Sequence, residues 1–336
     1  MSGRTLKSSL SAVVMASASA KDPVFVGRSP ALTRVVELID KVSRCDVSLL
    51  IQGETGTGKE LAARAIHYSG SRRDAPFVPI NCGAIPDALV ETELFGHVRG
   101  AFTDAREGHA GVVSQAEGGT LFLDEIEAMS VHAQVALLRF LQSLEYRPVG
   151  AAAPLRANVR IVAASNVDLS ELARQGGYRS DLLFRLNVFV IEMPPLRARG
   201  DDVIDLAENF MDRFCSRYGK PHMTLSEDYR HHLRHYSWPG NVRELENTVH
   251  RKVFLCEGNV LRCDDPPGCF PSSEGLASPA RGVTRFREAK AQAIAEFERA
   301  YLAELLKRTA GNVSHAARMC GQERSRLNKL IRKHGL

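Results

Sequence analysis

Short apolar runs alternate with amphipathic stretches along the first two thirds of the chain. Residues 48–52 (SLLIQ) carry the signal of a buried strand, and a glycine-rich turn and a helix to about His67 follow it. Further strand signals fall at 77–80, 120–123, 159–164 and 188–191, with helical patterns such as 131–144 between them. This alternation predicts an α/β fold, a parallel sheet covered on both faces. After Met193-Pro194-Pro195 the strand signals stop. Val203, Leu206, Ala207, Phe210 and Phe214 then recur at helical spacing. A second helix is predicted over 226–235, and a third after Pro239-Gly240, with Asn241 as its cap. Together these predict a small helical domain. Residues 264–283 hold Pro266, Pro267, Pro271 and Pro279 among Gly and Ser, a linker composition. Beyond it the pattern is helical again, with Ile294, Phe297, Tyr301 and Leu305 on one stripe and breaks at Gly311-Asn312 and Gly321.

Composition narrows the class. The 336 residues are 44% hydrophobic and 25% charged, which argues against a long disordered chain, and no apolar run is long enough for a membrane span. The net charge of +5 is unevenly placed: residues 281–336 hold 13 Lys/Arg and 5 Asp/Glu, so the tail is basic and the body nearly neutral. A basic tail points to nucleic acid or another anionic surface. Seven cysteines without a CxxC pair support neither a disulfide framework nor a common zinc pattern. His250, Cys256, Cys263 and Cys269 lie near each other but at irregular spacing, and are read as helix core and linker thiols. Arg4 and Lys7 ahead of a small-residue stretch faintly resemble a signal peptide, but serines interrupt it, and residues 1–22 are read as a disordered tail.

Two motifs carry chemistry. Gly53-Glu54-Thr55-Gly56-Thr57-Gly58-Lys59-Glu60 fits GxxxxGK between a strand and a helix. Its glycines let backbone N–H groups wrap phosphates at a helix N-terminus, and Lys59 reaches the β and γ phosphates. Glu60 stands where a Ser or Thr usually ligates magnesium. The second motif, residues 120–125 (TLFLDE), is a strand that delivers two carboxylates at its C-terminal end, where ligands bind in such sheets. Asp124 suits Mg2+, directly or through water, and Glu125 suits activation of an attacking water. ATP hydrolysis, rather than binding alone, follows from the pair, and it places the chain in the cytoplasm, where ATP is. Transition-state charge also calls for arginine. Arg179 and Arg185, about 120° apart if both are helical, are candidates that spacing alone leaves open as surface residues.

GETGTGKE, ELFGHVRGAFTDA, GGTLFLDEIEAM, FRLNVFVIEMPPLRARGDDV and WPGNVRELENTV occur in the order found in sigma-54-dependent transcriptional activators, the bacterial enhancer-binding proteins of the AAA+ class. The chain resembles that family over about residues 23–262 and again in its tail. The resemblance implies an α/β ATPase subdomain over 23–198, a helical lid over 199–263, a linker over 264–283 and a Fis-type helix-turn-helix over 284–336. It makes 53–60 the Walker A loop, in which Glu at the last position is common, and Asp124-Glu125 the Walker B pair. It implies that Asn81 holds the catalytic glutamate, that Asn166 lies in the sensor I region, and that Arg243 is sensor II. Arg179 and Arg185 resemble arginine fingers acting on ATP in the neighbouring subunit, which implies a ring, a homo-oligomer of six. Residues 24–29 resemble the segment beside the adenine. The family's GAFTGA loop, which moves against sigma-54 at a closed promoter complex, reads here Gly100-Ala101-Phe102-Thr103-Asp104-Ala105. Phe102 and Thr103 are kept, while Asp104 replaces a glycine and adds a charge between Arg99 and Arg106. Asp tolerates positive φ better than most residues. Residues 111–114 (GVVS) also depart from the usual Gly-x-Phe-Glu.

In the tail, Leu327, Leu330 and Ile331 form the buried stripe of the last helix. Arg324, Ser325, Arg326, Asn328, Lys329, Arg332 and Lys333 are the candidates for DNA contact: Arg and Asn read base edges, and Lys and Arg hold phosphates. The stripe from Ile294 to Leu305 would pair two tails for inverted-repeat sites. With some 22 residues ahead of the ATPase, the sequence leaves no room for a receiver domain there. Control would then fall to expression level, to a separate regulatory protein, or to a co-activator in a mixed ring. The expected function is an ATP-driven activator that binds upstream DNA and remodels the sigma-54 RNA polymerase holoenzyme. A DNA-binding regulator with an inert ATPase module is opposed by Asp124, Glu125, Arg179 and Arg185. A replication initiator or unfoldase is opposed by the loop and the terminal helix-turn-helix.

Overall fold

The computed structural model describes residues 24–102 and 107–263, together with Thr309, Val313, Asn328 and Ile331. Five strands form one sheet: β1 (Leu49–Gln52), β2 (Phe77–Asn81), β3 (Thr120–Asp124), β4 (Arg160–Ser165) and β5 (Val190–Glu192). Their spatial order is β2-β3-β4-β1-β5, and every pairing is parallel. β1, β3 and β4 are nearly continuous apolar runs because both faces of the sheet are covered. Alternate residues serve opposite cores. Leu50, Leu121, Leu123 and Ile161 pack with Leu137 and Phe140 on one side. Leu49, Ile51, Phe122 and Val162 pack with Ile39 and Ile66 on the other.

The helices that matter for the site are α1 (Pro30–Ser43), α2 (Lys59–Tyr68), α3 (Val131–Ser143) and α4 (Ser180–Leu186) in the body. α5 (Asp202–Tyr218), α6 (Glu227–His235) and α7 (Asn241–Leu255) form the lid. Ser29, Ser130 and Ser226 cap α1, α3 and α6 through side-chain oxygens that accept a first-turn N–H. The five apolar residues read at helical spacing from Val203 to Phe214 are all buried, against Leu233, Trp238, Leu245 and Val249. Two corrections concern the lid. Thr224–Leu225 and Val260–Leu261 pair as short parallel strands, so extended structure continues past Pro195. Asn241 is not the cap of α7: it is the first helical residue, at φ 51°, and its side chain points elsewhere.

A second compact unit begins at Asp264. Within it Val313, Asn328 and Ile331 are helical, with Ile331 buried and Asn328 half-buried. Among the described residues no helix is long and apolar enough to cross a membrane. Residues 1–22 and the linker lie outside the described residues.

Candidate nucleotide site

The parallel register brings the C-terminal ends of β1, β2, β3 and β4 to one edge, with Asn81 directly opposite Asp124. The loop after β1 turns on Gly56 at φ +78°, where an added Cβ would lie 2.3 Å from the Gly240 carbonyl of the lid, so no side chain fits. Lys59 opens α2 and folds back over the loop. Its Nζ donates to the carbonyls of Gly53 (2.7 Å) and Glu54 (3.1 Å) and to Asn166 Oδ1 (2.6 Å). Burial pulls the Lys59 ammonium below its usual range, and the carboxylates of Asp124, Glu127 and Glu125 oppose that pull. Glu60, the unusual last residue of the motif, pairs with Arg64 one turn along α2 (2.7 Å).

The carboxylate pair stands across from Lys59. Burial raises Asp124 above the usual carboxylate range, against the Glu125 N–H that donates to its Oδ1 (3.0 Å) and the charge of Lys59. Glu125 takes a left-handed conformation at φ 52°, rare for a non-glycine residue, which turns its carboxylate off the strand direction. Asn81 Nδ2 donates to Glu125 Oε2 at 3.2 Å, while Asn81 Oδ1 accepts the N–H of Gly83 at 2.8 Å. Lys59, Asp124, Glu125, Asn166 and, from the lid, Arg243 line one open cleft of about 230 Å3. Five sequence candidates scattered over nearly 190 positions therefore meet at a single site.

Arg179 and Arg185 do not line this cleft. Arg179 precedes α4 in extended conformation and pairs with Asp181 at 2.7 Å, so the helical angle between the two arginines does not apply. Both arginines are exposed, and Phe184 between them is 78% exposed. Residues 24–29 run onto the lid: Val26 packs on its core, and Asp202 accepts from the N–H groups of Arg28 (2.6 Å) and Ser29 (2.9 Å).

A separate excursion leaves the body between Gly96 and Gly111. Gly96–His97 and His109–Ala110 pair antiparallel. A Cβ on Gly96 would lie 2.3 Å from His109 O, and one on Gly111 2.4 Å from Gly96 N. Gly100 has φ +79° in open space, with Ala101 after it, and Phe102 is 45% exposed with its ring 4.9 Å from that of His97. Thr103, Asp104 and Ala105 lie outside the described residues. The departure at 111–114 is resolved locally: Val113 is fully buried in the body core and anchors the returning arm.

Known proteins place this arrangement. Residues 25–192 match the family model described as Sigma-54 interaction domain, residues 197–277 the AAA+ ATPase lid domain, and residues 293–334 the Bacterial regulatory protein, Fis family. The chain belongs to the sigma-54-dependent transcriptional activators. It is 40% identical to the transcriptional regulatory protein FlbD of Caulobacter vibrioides over 93% of this chain and 70% of that one. It is 42% identical to the DNA-binding transcriptional regulator NtrC of Azospirillum brasilense, over 91% and 68%. The crystal structure of NtrX from Brucella abortus in complex with ATP superposes with a TM-score of 0.70 at 32% identity, over 95% of this chain and 71% of that one. This sigma-54 activator is accordingly an ATPase that activates transcription, with a Fis-type DNA-binding element.

Of the activator's seven candidate DNA contacts, Asn328 is described and is helical; Arg324, Ser325, Arg326, Lys329, Arg332 and Lys333 lie outside the described residues. His250 stacks on Phe214 (4.3 Å between ring centres) and bonds Tyr218, which ties it into the lid. Sequence reasoning missed four residues that brace the cleft's walls from behind. Glu127 Oε1 accepts the N–H of Asn166 at 3.0 Å. Arg197 holds Glu54 with two bonds of 2.8 and 2.5 Å, which brings that carboxyl down to about 2. Arg199, buried, donates to Thr57 O at 2.7 Å. Asn241 donates to Glu54 Oε2 and to Thr55 O, each at 3.1 Å. The arginine-rich stretch after Pro195 is the one available signal, and within the sequence it stands only as part of a family motif.

Proposed function

We propose that the activator hydrolyses ATP in the cleft between loop 53–60 and Asp124-Glu125, and that hydrolysis drives the segment Gly100-Ala101-Phe102-Thr103-Asp104-Ala105 against sigma-54. The observation that carries this is the meeting of Lys59, Asp124, Glu125, Asn166 and Arg243 in one cleft. Lys59 is bonded to two loop carbonyls and to Asn166, all neutral acceptors, so anionic phosphate oxygens that replace them make stronger, charge-assisted bonds to the ammonium. The loop's N–H groups and the start of α2 add partial positive charge. Glu125 is the base that orients and deprotonates the attacking water, and Asn81, bonded to its Oε2, holds it in reserve. Arg243 supplies positive charge from the lid side.

Asp124, a half-buried oxygen donor facing Lys59, fits Mg2+, which binds through one or two carboxylates plus phosphates and keeps several waters. When bound, the ion neutralises charge on the β and γ phosphates. Arg179 and Arg185, exposed and away from their own chain's cleft, are proposed to complete the cleft of a neighbouring copy, which makes the working form a ring, six copies by family resemblance. The terminal helix carries the contacts to upstream DNA, and a separate protein can supply control.

The test is to mix the full chain with sigma-54, ADP and a metal fluoride that mimics the transferring phosphoryl group. A stable complex formed only with the mimic supports the coupling. Hydrolysis without such a complex would leave an uncoupled DNA-binding ATPase and single out Asp104.

A further inference from the structure

The five carbonyls of loop residues 53–57 all have hydrogen-bond partners within the chain. Lys59 holds those of Gly53 and Glu54. The lid holds the other three: Asn241 Nδ2 donates to Thr55 O (3.1 Å), the Val242 N–H to Gly56 O (3.0 Å), and Arg199 Nη2 to Thr57 O (2.7 Å). A trans peptide is planar, with its C=O and the following N–H pointing in opposite directions. Fixing the carbonyl of Thr55 therefore aims the N–H of Gly56, and fixing that of Thr57 aims the N–H of Gly58. Gly56 and Gly58 both line the nucleotide cleft. Gly56 and Gly58 also have positive φ, where glycine alone has a wide choice of orientation. Left unpinned, these two peptides are free to turn.

We propose that Asn241 and Arg199 are positioning residues through which the lid aims the phosphate-binding amides of Gly56 and Gly58. Asn241 suits this on three counts. It is fully buried, so its carboxamide cannot trade these partners for water. Both ends of the amide are engaged, since its Oδ1 accepts the N–H of Leu196 at 2.8 Å while its Nδ2 reaches Thr55 O and Glu54. And its φ of 51° is a conformation Asn adopts more readily than most residues. Arg199, buried likewise, clamps Thr57 O and Pro194 O together, joining the loop to the strap that leads into the lid. In consequence the phosphate site is formed only while the lid is docked, and phosphate bound by those amides holds the lid docked in return.

The inference rests on loop 53–60 as the phosphate site. Two variants of the full chain test it, Asn241→Gly and Asn241→Asp. Glycine keeps the φ and removes the bridge. Aspartate keeps the acceptor for Leu196 but turns an oxygen toward Thr55 O and the Glu54 carboxylate. ADP affinity by calorimetry is expected to fall about 10-fold for glycine and further for aspartate, with the rate at saturating ATP reduced less than about threefold. The nucleotide-free melting temperature is expected to fall by about 5 °C, because a buried side chain with three bonds is lost or unbalanced, so affinity is measured well below the variants' melting transitions. Hydrogen exchange at the Gly56 and Gly58 amides in the ADP state is expected to quicken in both variants. ADP affinity within twofold of the parent in both variants would overturn the inference, as would losses of affinity that merely track a fall in melting temperature. A parent chain without ADP affinity would overturn the phosphate-site reading itself.

Discussion

In the cleft at the ends of β1, β3 and β4, the charged groups are held by partners in the same chain. Lys59 is bonded to Asn166 and two carbonyls, Glu125 to Asn81, and Glu54 to Arg197 and Asn241. The edge that carries α4 is unlike this. Phe184, Val188 and Phe189 are exposed there beside Arg179 and Arg185, and among the described residues the Arg179 guanidinium pairs with its near neighbour Asp181. Aromatic residues with arginines, open to solvent, have the composition of a surface that is covered in an assembly. The contrast separates two kinds of preparation. The chain organises its own phosphate cleft on folding, whereas the α4 edge has chemistry to offer that its own cleft does not use.

The largest effect belongs to the arginines. Arg185→Ala is expected to lower hydrolysis about 10^3-fold while ADP affinity holds. Glu125→Gln is expected to cost about 10^2-fold or more with affinity also kept. Mixing these two inactive variants is expected to restore measurable phosphate release, because some clefts then pair an intact glutamate with an intact neighbouring arginine. A mixture as silent as its components would erase the distinction between the two edges.

Phe184→Glu probes the same edge more gently. Its folding stability is expected to stay within about 0.5 kcal/mol of the parent, as for an exposed side chain. Light scattering should find smaller particles, and the specific rate of hydrolysis should drop about 10-fold at low protein concentration. A particle size equal to the parent's would show that the exposed ring is not part of an assembly contact.

The smallest effect lies within the cleft. Glu54 is depressed from 4.5 to about 2, first by its bonds to Arg197, so the ionised form is favoured by folding. Its stabilising contribution is complete above pH 4.5 and is lost as pH falls toward 2. Melting curves of the parent and Glu54→Gln should therefore differ modestly at neutral pH, since the pair is partly exposed, and converge near pH 2. A gap that persists undiminished at pH 2 would assign the difference to something other than the Glu54 charge.

What was legible in the sequence was local. The loop 53–60, the strand ending in Asp124-Glu125 and the helical stripe from Val203 to Phe214 each signal themselves within a few residues, because strand, turn and helix rules act over that range. The order β2-β3-β4-β1-β5 was not legible, since parallel pairing joins segments with no local sign of their partners. Asn241 shows the cost of a local rule applied where a distant contact wins. Asn ahead of a helix reads as a cap, yet its carboxamide bonds Glu54, 187 positions earlier. Glu127 carries no local sign of its role, since it braces the backbone of Asn166, 39 positions later. Arg179 misled in the opposite way: helical rotation was applied to a residue that stands just outside the helix.

The neck of the excursion has a mechanical consequence. Gly96 and Gly111 bring two chain directions so close that neither has room for a Cβ between them. Two strands in that state cannot slide or splay independently, so the arms form one strut with a shared cross-section. Its returning end is seated in the body core by Val113. A tilt of Leu94 or Val113 by the body beneath is then transmitted outward by both arms at once, as through a rod, and a single methyl group at either glycine would be enough to split that rod lengthwise.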